Sequence, residues 1–131
     1  VVGNCEYGLI LYRDKLPKFR NNGKMIFNCF DVERDTTTPR LHPTQKSVPL
    51  LKNLIEIFTD PGDVVIDPVA GSGTTLVAAI ELDRKAYGFE IKKDFYKEAS
   101  KLIEMTKQRK NDLKTFGYSK SEIQKDYPIL F

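Results

Sequence analysis

The chain has 131 residues, 40% of them hydrophobic, which provides one hydrophobic core but not two and argues against intrinsic disorder. Its 21 basic and 18 acidic residues leave a net charge of +3, which permits an anionic partner but does not identify one. Two cysteines and one histidine exclude a disulfide framework and an ordinary structural zinc site, so we expect no metal. Because the sequence shows neither a long apolar segment nor a signal peptide, we expect a cytoplasmic protein that does not contact a membrane.

The first third of the chain predicts two strands followed by a polar loop. Residues 7–12 are dense in aromatic and branched side chains, a pattern typical of a buried strand, and residues 25–30 predict a second short strand. Turn-forming residues between them are compatible with a hairpin or with neighbouring strands joined by a loop. Residues 31–46 have no apolar period, and polar loops of this length are usually functional or disordered.

The central part of the chain predicts alternating helices and strands. An apolar stripe over residues 47–59 predicts a helix with Ser47 as its N-cap and Pro49 in its first turn. Residues 64–66 predict a strand buried on both faces, residues 74–82 a second helix, residues 85–91 a second strand and residues 93–113 a longer helix. This order predicts a right-handed βαβ unit in a parallel sheet, and therefore a single α/β domain that is followed by a tail at residues 115–131.

A glycine-rich segment lies between the first of these strands and the helix after it. Residues 67–75 read Asp-Pro-Val-Ala-Gly-Ser-Gly-Thr-Thr, and open α/β sheets bind ligands at this place. Gly71 and Gly73 allow a tight turn and a close approach to a ligand, and the N–H groups at the helix start favour an anionic or polar group. Asp67 favours a cationic group. The combination suits an amino acid zwitterion better than a chain of phosphates.

Two other nucleotide motifs fit these residues less well. No lysine follows either glycine, so a phosphate-binding loop for ATP is poorly supported. Leu76 stands where a dinucleotide motif has its third glycine, which disfavours NAD without excluding it. Glu90 follows Asp67 by 23 residues, at the end of the next predicted strand, where a carboxylate can accept hydrogen bonds from both hydroxyls of a ribose. We therefore expect a ligand that contains a nucleoside.

A second motif, His-Pro-Thr-Gln-Lys at residues 42–46, precedes the first helix. Together the motifs resemble those of the permuted (beta-type) amino-group DNA methyltransferases, which modify adenine N6 or cytosine N4. Residues 67–75 resemble the S-adenosylmethionine-binding motif of that family, and residues 42–46 resemble its companion cofactor motif. Residues 88–91, Gly-Phe-Glu-Ile, are similar to the family's acidic second strand.

The resemblance implies a Rossmann-like methyltransferase fold, partial in this chain, with S-adenosylmethionine as the cofactor. Asp67 and the glycines would hold the methionine part and Glu90 the ribose. The family usually has phenylalanine at Val69 and proline at Ser47, and the smaller valine predicts looser packing against the cofactor. The cofactor-binding residues implied by the resemblance are His42, Thr44, Lys46, Asp67, Val69, Gly71, Ser72, Gly73, Thr74, Thr75, Glu90 and Ile91.

The family's catalytic motif, an Asp, Asn or Ser followed by Pro-Pro and an aromatic residue, does not occur, because the chain contains no Pro-Pro pair. No catalytic residue is therefore assigned. In the permuted order this motif would lie before Val1, so we expect the chain to be the C-terminal portion of the enzyme and inactive alone. The expected partners are double-stranded DNA and the N-terminal catalytic half, and the sequence leaves a homodimer open.

The expected function is site-specific DNA methylation, at adenine N6 in preference to cytosine N4, of the kind found in restriction-modification systems. Arg34 and Arg40, in the loop before His42, are weak candidates for DNA contact. The lysines and arginines of residues 92–114 are interleaved with acidic residues and predict a solvated helix face rather than DNA contact. The alternatives are a non-catalytic nucleotide-binding module, an inactive relic and an NAD-binding domain.

Overall fold

A computed structural model describes residues 6–14, 19, 25–29, 31–32 and 45–117. Its elements are α1 (Val48–Phe58), β1 (Val64–Asp67), α2 (Thr74–Glu81), β2 (Lys85–Gly88) and α3 (Lys93–Phe116). The two strands pair in parallel, with Val64 opposite Lys85 and Asp67 opposite Gly88. The predicted α/β class and the parallel pairing are therefore confirmed.

Helix α1 begins where the sequence predicts it. Ser47 has an extended backbone and its hydroxyl accepts a hydrogen bond from the Leu50 amide at 3.4 Å, while Pro49 occupies the first turn. The apolar side of α1 packs against α2, and Val65 and Ala86 of the sheet pack against the same core. The buried members of this core are Val48, Ile55, Val77, Ala78, Ala79 and Leu102.

The sheet is covered on one face by the described residues. Helix α2 packs against both strands, and α1 and α3 pack against α2. On the opposite face, Val64, Ile66 and Tyr87 are 51%, 61% and 57% exposed, and we call these three side chains the exposed sheet face. The prediction that residues 64–66 are buried on both faces is therefore wrong for this structure, because a parallel sheet has two buried faces only when helices cover both.

The predicted strands at residues 7–12 and 25–30 are not found among the described residues. Residues 6–12 and 25–29 contain no strand, and Tyr7 and Leu11 are exposed. Their apolar composition suits a strand, but a strand also needs a neighbour that pairs with its backbone, and no described strand pairs with these residues. Residues 33–44, most of the predicted polar loop, and residues 118–131 of the predicted tail lie outside the described residues.

Two further boundaries differ from the prediction. Strand β2 ends at Gly88, three residues earlier than predicted, because its partner β1 ends at Asp67 and the chain turns at Pro68. Helix α3 extends to Phe116, into the predicted tail, and Gly117 ends it in a left-handed conformation. In the part of the chain that the structure describes, no helix is both long and apolar enough to cross a bilayer.

Two basic residues of α3, Arg109 and Lys110, contact the C-terminal end of α2. Arg109 is buried and pairs with Glu81, and burial lowers the pKa of its guanidinium. Lys110 hydrogen-bonds to the Ile80 carbonyl and lies 2.9 Å from Asp83. The hydrogen bond from Lys110, reinforced by the charges of Lys110 and Lys114, lowers the pKa of Asp83. The prediction of a solvated helix face is thus wrong for Arg109, whose partner lies on another helix.

Arg84 joins the C-terminal ends of α1 and α2. Its Nε donates to Thr59 Oγ1 at 2.9 Å and its Nη2 to the Thr59 carbonyl at 2.6 Å, while Nη1 donates to the Leu82 carbonyl at 2.7 Å. We expect Arg84→Ala to lower the free energy of unfolding by about 2 kcal/mol, because these carbonyls lose charged donors. Urea denaturation measures this change. Arg13→Ala is the control, since Arg13 is exposed, and equal effects of the two variants would contradict the expectation.

Candidate functional site

The candidate site lies at the carboxyl ends of the two parallel strands. Residues 68–73, here called the glycine loop, connect β1 to α2. Backbone hydrogen bonds join this loop to the segment after β2: the Phe89 amide donates to the Asp67 carbonyl at 3.0 Å, and the Ala70 amide donates to the Phe89 carbonyl at 2.8 Å. The glycine loop is therefore held beside residues 89 and 90, which brings Asp67 and Glu90 to the same edge of the sheet.

Two positions of the glycine loop require glycine. Gly71 and Gly73 have φ angles of +54° and +79°, a left-handed conformation that other residues rarely adopt. A Cβ on Gly73 would lie 3.0 Å from the Ala99 Cβ, whereas a Cβ on Gly71 would meet nothing within 4 Å. Gly73 is the N-cap of α2 and provides no side-chain cap. The first amides of α2 thus have no N-cap side chain to which they can donate, an arrangement that suits an anionic group of a ligand as the acceptor.

The two acidic residues predicted from the sequence both accept backbone hydrogen bonds. Asp67 Oδ1 accepts from the Val69 amide at 3.0 Å. Glu90 Oε1 accepts from the Lys92 amide at 2.8 Å, and its Oε2 accepts from the Gly71 amide at 2.9 Å. A carboxylate offers about four lone-pair sites, so each residue retains capacity to accept further hydrogen bonds from ligand hydroxyl or ammonium groups.

An open groove of about 400 Å³ lies beside Val69 and Glu90. Its walls are mostly apolar and Glu90 contributes a carboxylate, a composition that suits a flat apolar group carrying hydroxyls. The sequence motifs predicted Val69, Glu90 and Ile91 as site residues but not Phe89 and Tyr96. The sequence signal for these two is an aromatic residue within six positions of Glu90, and the structure shows that both rings are exposed. The lining residues are Pro68, Val69, Gly88, Phe89, Glu90, Ile91 and Tyr96.

The remaining predicted site residues do not line this groove. Ser72 and Thr74 are each 5% exposed, so little of either side chain is accessible to a ligand, and Thr75 is half-buried. Lys46 is exposed and pairs with Glu6 at 2.5 Å. Four predicted residues lie outside the described residues: Arg34, Arg40, His42 and Thr44.

A metal site is not formed by the residues that the structure describes. Among residues 6–14, 19, 25–29, 31–32 and 45–117, no group of three or more His, Cys, Asp or Glu side chains is placed to hold an ion. The polar groups of the candidate site are instead backbone amides and carboxylates, which suit an organic ligand that carries a negative and a positive group.

Comparison with known proteins identifies relatives of this chain. A family model described as DNA methylase matches residues 10–101. The DNA adenine methyltransferase YhdJ of Escherichia coli (strain K12) is 40% identical over 95 residues, which cover 70% of this chain and 32% of that protein. The type II methyltransferase M2.DpnII of Streptococcus pneumoniae is 37% identical over 99 residues, which cover 71% of this chain and 36% of that protein.

A solved structure resembles the fold as well. The crystal structure of the M1.HpyAVI–SAM complex matches with a TM-score of 0.55 and 34% sequence identity, and the match covers 63% of this chain and 42% of that chain. The chain spans about a third of the length of the curated relatives it matches. The region matched by the family model includes the glycine loop and Glu90.

Proposed function

The chain belongs to the DNA methylase family, as its motifs predict, and on that premise we propose that it is the cofactor-binding portion of an S-adenosylmethionine-dependent DNA methyltransferase. The observation that carries this proposal is the position of Asp67 and Glu90 on either side of the glycine loop, at the carboxyl ends of adjacent parallel strands. The resemblance to the M1.HpyAVI–SAM complex supports the same cofactor.

The proposed arrangement divides the cofactor between two parts of the site. The glycine loop and the first amides of α2 receive the carboxylate of the methionine part, and Asp67 receives its ammonium group. Glu90 accepts hydrogen bonds from the ribose hydroxyls. The adenine base lies in the groove between Val69, Ile91 and Tyr96, whose apolar surfaces exclude water from it. His42, Thr44 and Lys46 complete the site in the same proposal.

Bound S-adenosylmethionine supplies a methyl group on a positively charged sulfur. The residues of this chain would contribute by position: Asp67, the glycine loop and Glu90 would hold the two ends of the cofactor in one orientation, and such positioning would lower the barrier by removing the entropy cost of the encounter. The relative YhdJ is described as a DNA adenine methyltransferase, which supports adenine N6 over cytosine N4 as the target.

Catalysis and DNA recognition are proposed to need residues outside this chain. The chain contains no Pro-Pro pair and spans about a third of its relatives. The exposed sheet face is apolar at Val64, Ile66 and Tyr87, with exposed Lys85 opposite Val64, and it belongs to a parallel sheet, which proteins normally bury on both sides. We propose that the catalytic portion of the same methyltransferase covers this face and supplies the base-binding pocket.

An NAD-binding domain is the weaker alternative. In a dinucleotide motif a glycine in the helix lets helix and strand pack closely. Here Leu76 occupies that position in α2. The glycine that lets helix and strand approach is instead Gly88 of β2, because a Cβ on Gly88 would lie 2.6 Å from Leu76 Cδ1. The small residue is therefore on the strand and the large one on the helix, opposite to the dinucleotide arrangement.

Calorimetric titration with S-adenosylhomocysteine tests the proposed site. We expect the wild-type chain to bind, and Asp67→Ala and Glu90→Ala to weaken binding by about 10- to 100-fold, because each loses hydrogen bonds to a charged carboxylate. Glu104→Ala, which alters an exposed carboxylate on α3, is the control and should bind as the wild type does. Binding of NAD at least as tight as that of S-adenosylhomocysteine, or no binding by a folded wild-type chain, would contradict the proposal.

A further inference from the structure

Glu90 is engaged with the protein's own backbone at both carboxylate oxygens. Its Oε2 accepts a hydrogen bond from the amide of Gly71, which precedes it by 19 residues, at 2.9 Å. Its Oε1 accepts from the Lys92 amide at 2.8 Å. The side chain of Glu90 is half-buried, so these hydrogen bonds are shielded in part from water, which strengthens them relative to those of an exposed carboxylate.

These contacts connect the glycine loop to the start of α3. Lys92 is the N-cap of α3 and makes no side-chain capping hydrogen bond, so Glu90 orders a helix start that lacks a cap of its own. Helix α3 then meets the glycine loop a second time, where Gly73 lies against Ala99. The loop is thus held at Gly71 by Glu90 and at Gly73 by α3.

We propose that Glu90 is a positioning residue for the glycine loop in addition to its contact with the ribose. The inference rests on the proposed function for its ligand, but the contact itself is made within the protein. Through the Gly71 hydrogen bond, Glu90 holds the loop amides in the arrangement that receives the methionine part. Loss of the Gly71 hydrogen bond is therefore expected to weaken the contacts of the methionine part, although Glu90 itself contacts the ribose.

Only a carboxylate can make both backbone contacts at this position. Glutamine has the same length, but its amide has one acceptor oxygen, and its NH₂ group would face a backbone N–H donor. Whichever way the amide is oriented, Glu90→Gln must lose either the Gly71 or the Lys92 hydrogen bond. Glu90→Ala removes both acceptor oxygens, so it loses the Gly71 hydrogen bond together with the Lys92 one.

Two ligands separate positioning from ribose contact. S-adenosylhomocysteine carries both ribose hydroxyls, whereas its 2′,3′-dideoxy analogue offers none to Glu90. If Glu90 positions the loop, Glu90→Ala weakens binding of the dideoxy analogue by about 5- to 10-fold, since a hydrogen bond of ordinary strength is lost from the loop. If Glu90 contacts only the ribose, the analogue binds the variant and the wild type equally, and the inference is overturned.

A second measurement needs no ligand. Hydrogen exchange at the Gly71 amide, followed by NMR in the chain alone, is expected to be roughly 10-fold faster in Glu90→Ala than in the wild type. Glu98→Ala, on the exposed side of α3, is the matched control and should leave this rate unchanged. Unchanged exchange at Gly71 in folded Glu90→Ala would overturn the inference.

The two measurements also distinguish the inference from the function on which it rests. If neither ligand binds the wild-type chain, the proposed function fails, while exchange at Gly71 still decides whether Glu90 positions the loop. If S-adenosylhomocysteine binds and Gly71 exchange is insensitive to Glu90, the proposed function stands and the positioning role fails. Where Glu90→Ala does not fold, Glu90→Met removes both carboxylate oxygens with a side chain of similar length and gives both readings.

Discussion

Glu81→Ala is expected to lower the free energy of unfolding by about 3–5 kcal/mol, the cost of breaking a buried ion pair from one side. Glu81 is the last residue of α2, and its carboxylate pairs with Arg109 of α3 and with Lys52 of α1. The side chains of Arg109 and Glu81 are 7% and 14% exposed. Removing the carboxylate takes the negative charge of Glu81 away from a buried guanidinium, whose pKa burial already lowers.

Urea denaturation at neutral pH, followed by circular dichroism, measures this effect. Glu104→Ala is the matched control, because Glu104 pairs with Lys107 on the exposed surface of α3 at 3.6 Å, and such pairs contribute about 0–1 kcal/mol. A second variant, Glu81→Leu with Arg109→Met, replaces the pair by apolar side chains and is expected to recover most of the loss. If Glu81→Ala costs no more than Glu104→Ala, the ion pair does not stabilise the packing of the three helices.

Gly73→Ala is expected to lower the free energy of unfolding by about 2–5 kcal/mol, from two sources that add. A left-handed φ costs a residue with a Cβ about 1–2 kcal/mol, and Gly73 has a φ of +79°. The new Cβ would also lie 3.0 Å from the Ala99 Cβ and 3.4 Å from the Ala99 Cα. Because a backbone atom is one of these neighbours, relief requires α3 to move, and such overpacking costs about 1–3 kcal/mol.

Gly71→Ala isolates the first of the two sources. Gly71 has a φ of +54°, but no atom lies within 4 Å of the position that an alanine Cβ would occupy there, so we expect a loss of about 1–2 kcal/mol from the backbone alone. Thermal and urea denaturation of both variants give the difference, which measures the contact between Gly73 and Ala99. Equal losses in the two variants would show that α3 adjusts to the extra methyl group without cost.

Local features of the fold follow from the sequence because their physical causes are local. Ser47 caps α1 as predicted, since a hydroxyl three residues before an amide can accept its hydrogen bond whatever surrounds it. The apolar run of β1 and the glycines after it predict a strand, a tight turn and a helix in that order, and the structure has them. The same residues carry the resemblance to DNA methylases, which the family match confirms.

The predictions that failed depend on what lies next to a segment in space. Residues 7–12 are apolar enough for a strand, yet they are exposed and unpaired with any described strand, because pairing requires a neighbour that the local pattern does not specify. Val64 and Ile66 are exposed for the same reason: nothing among the described residues packs on that face of the sheet. Arg109 is buried because α3 crosses the end of α2 there, although its sequence neighbours are polar.

The sequence by itself determined the chemistry available at the site, with Asp67, Glu90 and two glycines at the ends of predicted strands, because strand and turn preferences act over a few residues. Tertiary structure decided how those groups are used. Glu90 reaches the amide of Gly71, Leu76 fits against Gly88, and Glu81 meets Arg109 across 28 positions of sequence. Each of these contacts depends on the angle and distance at which two elements pack, which arise from the whole core rather than from any local pattern.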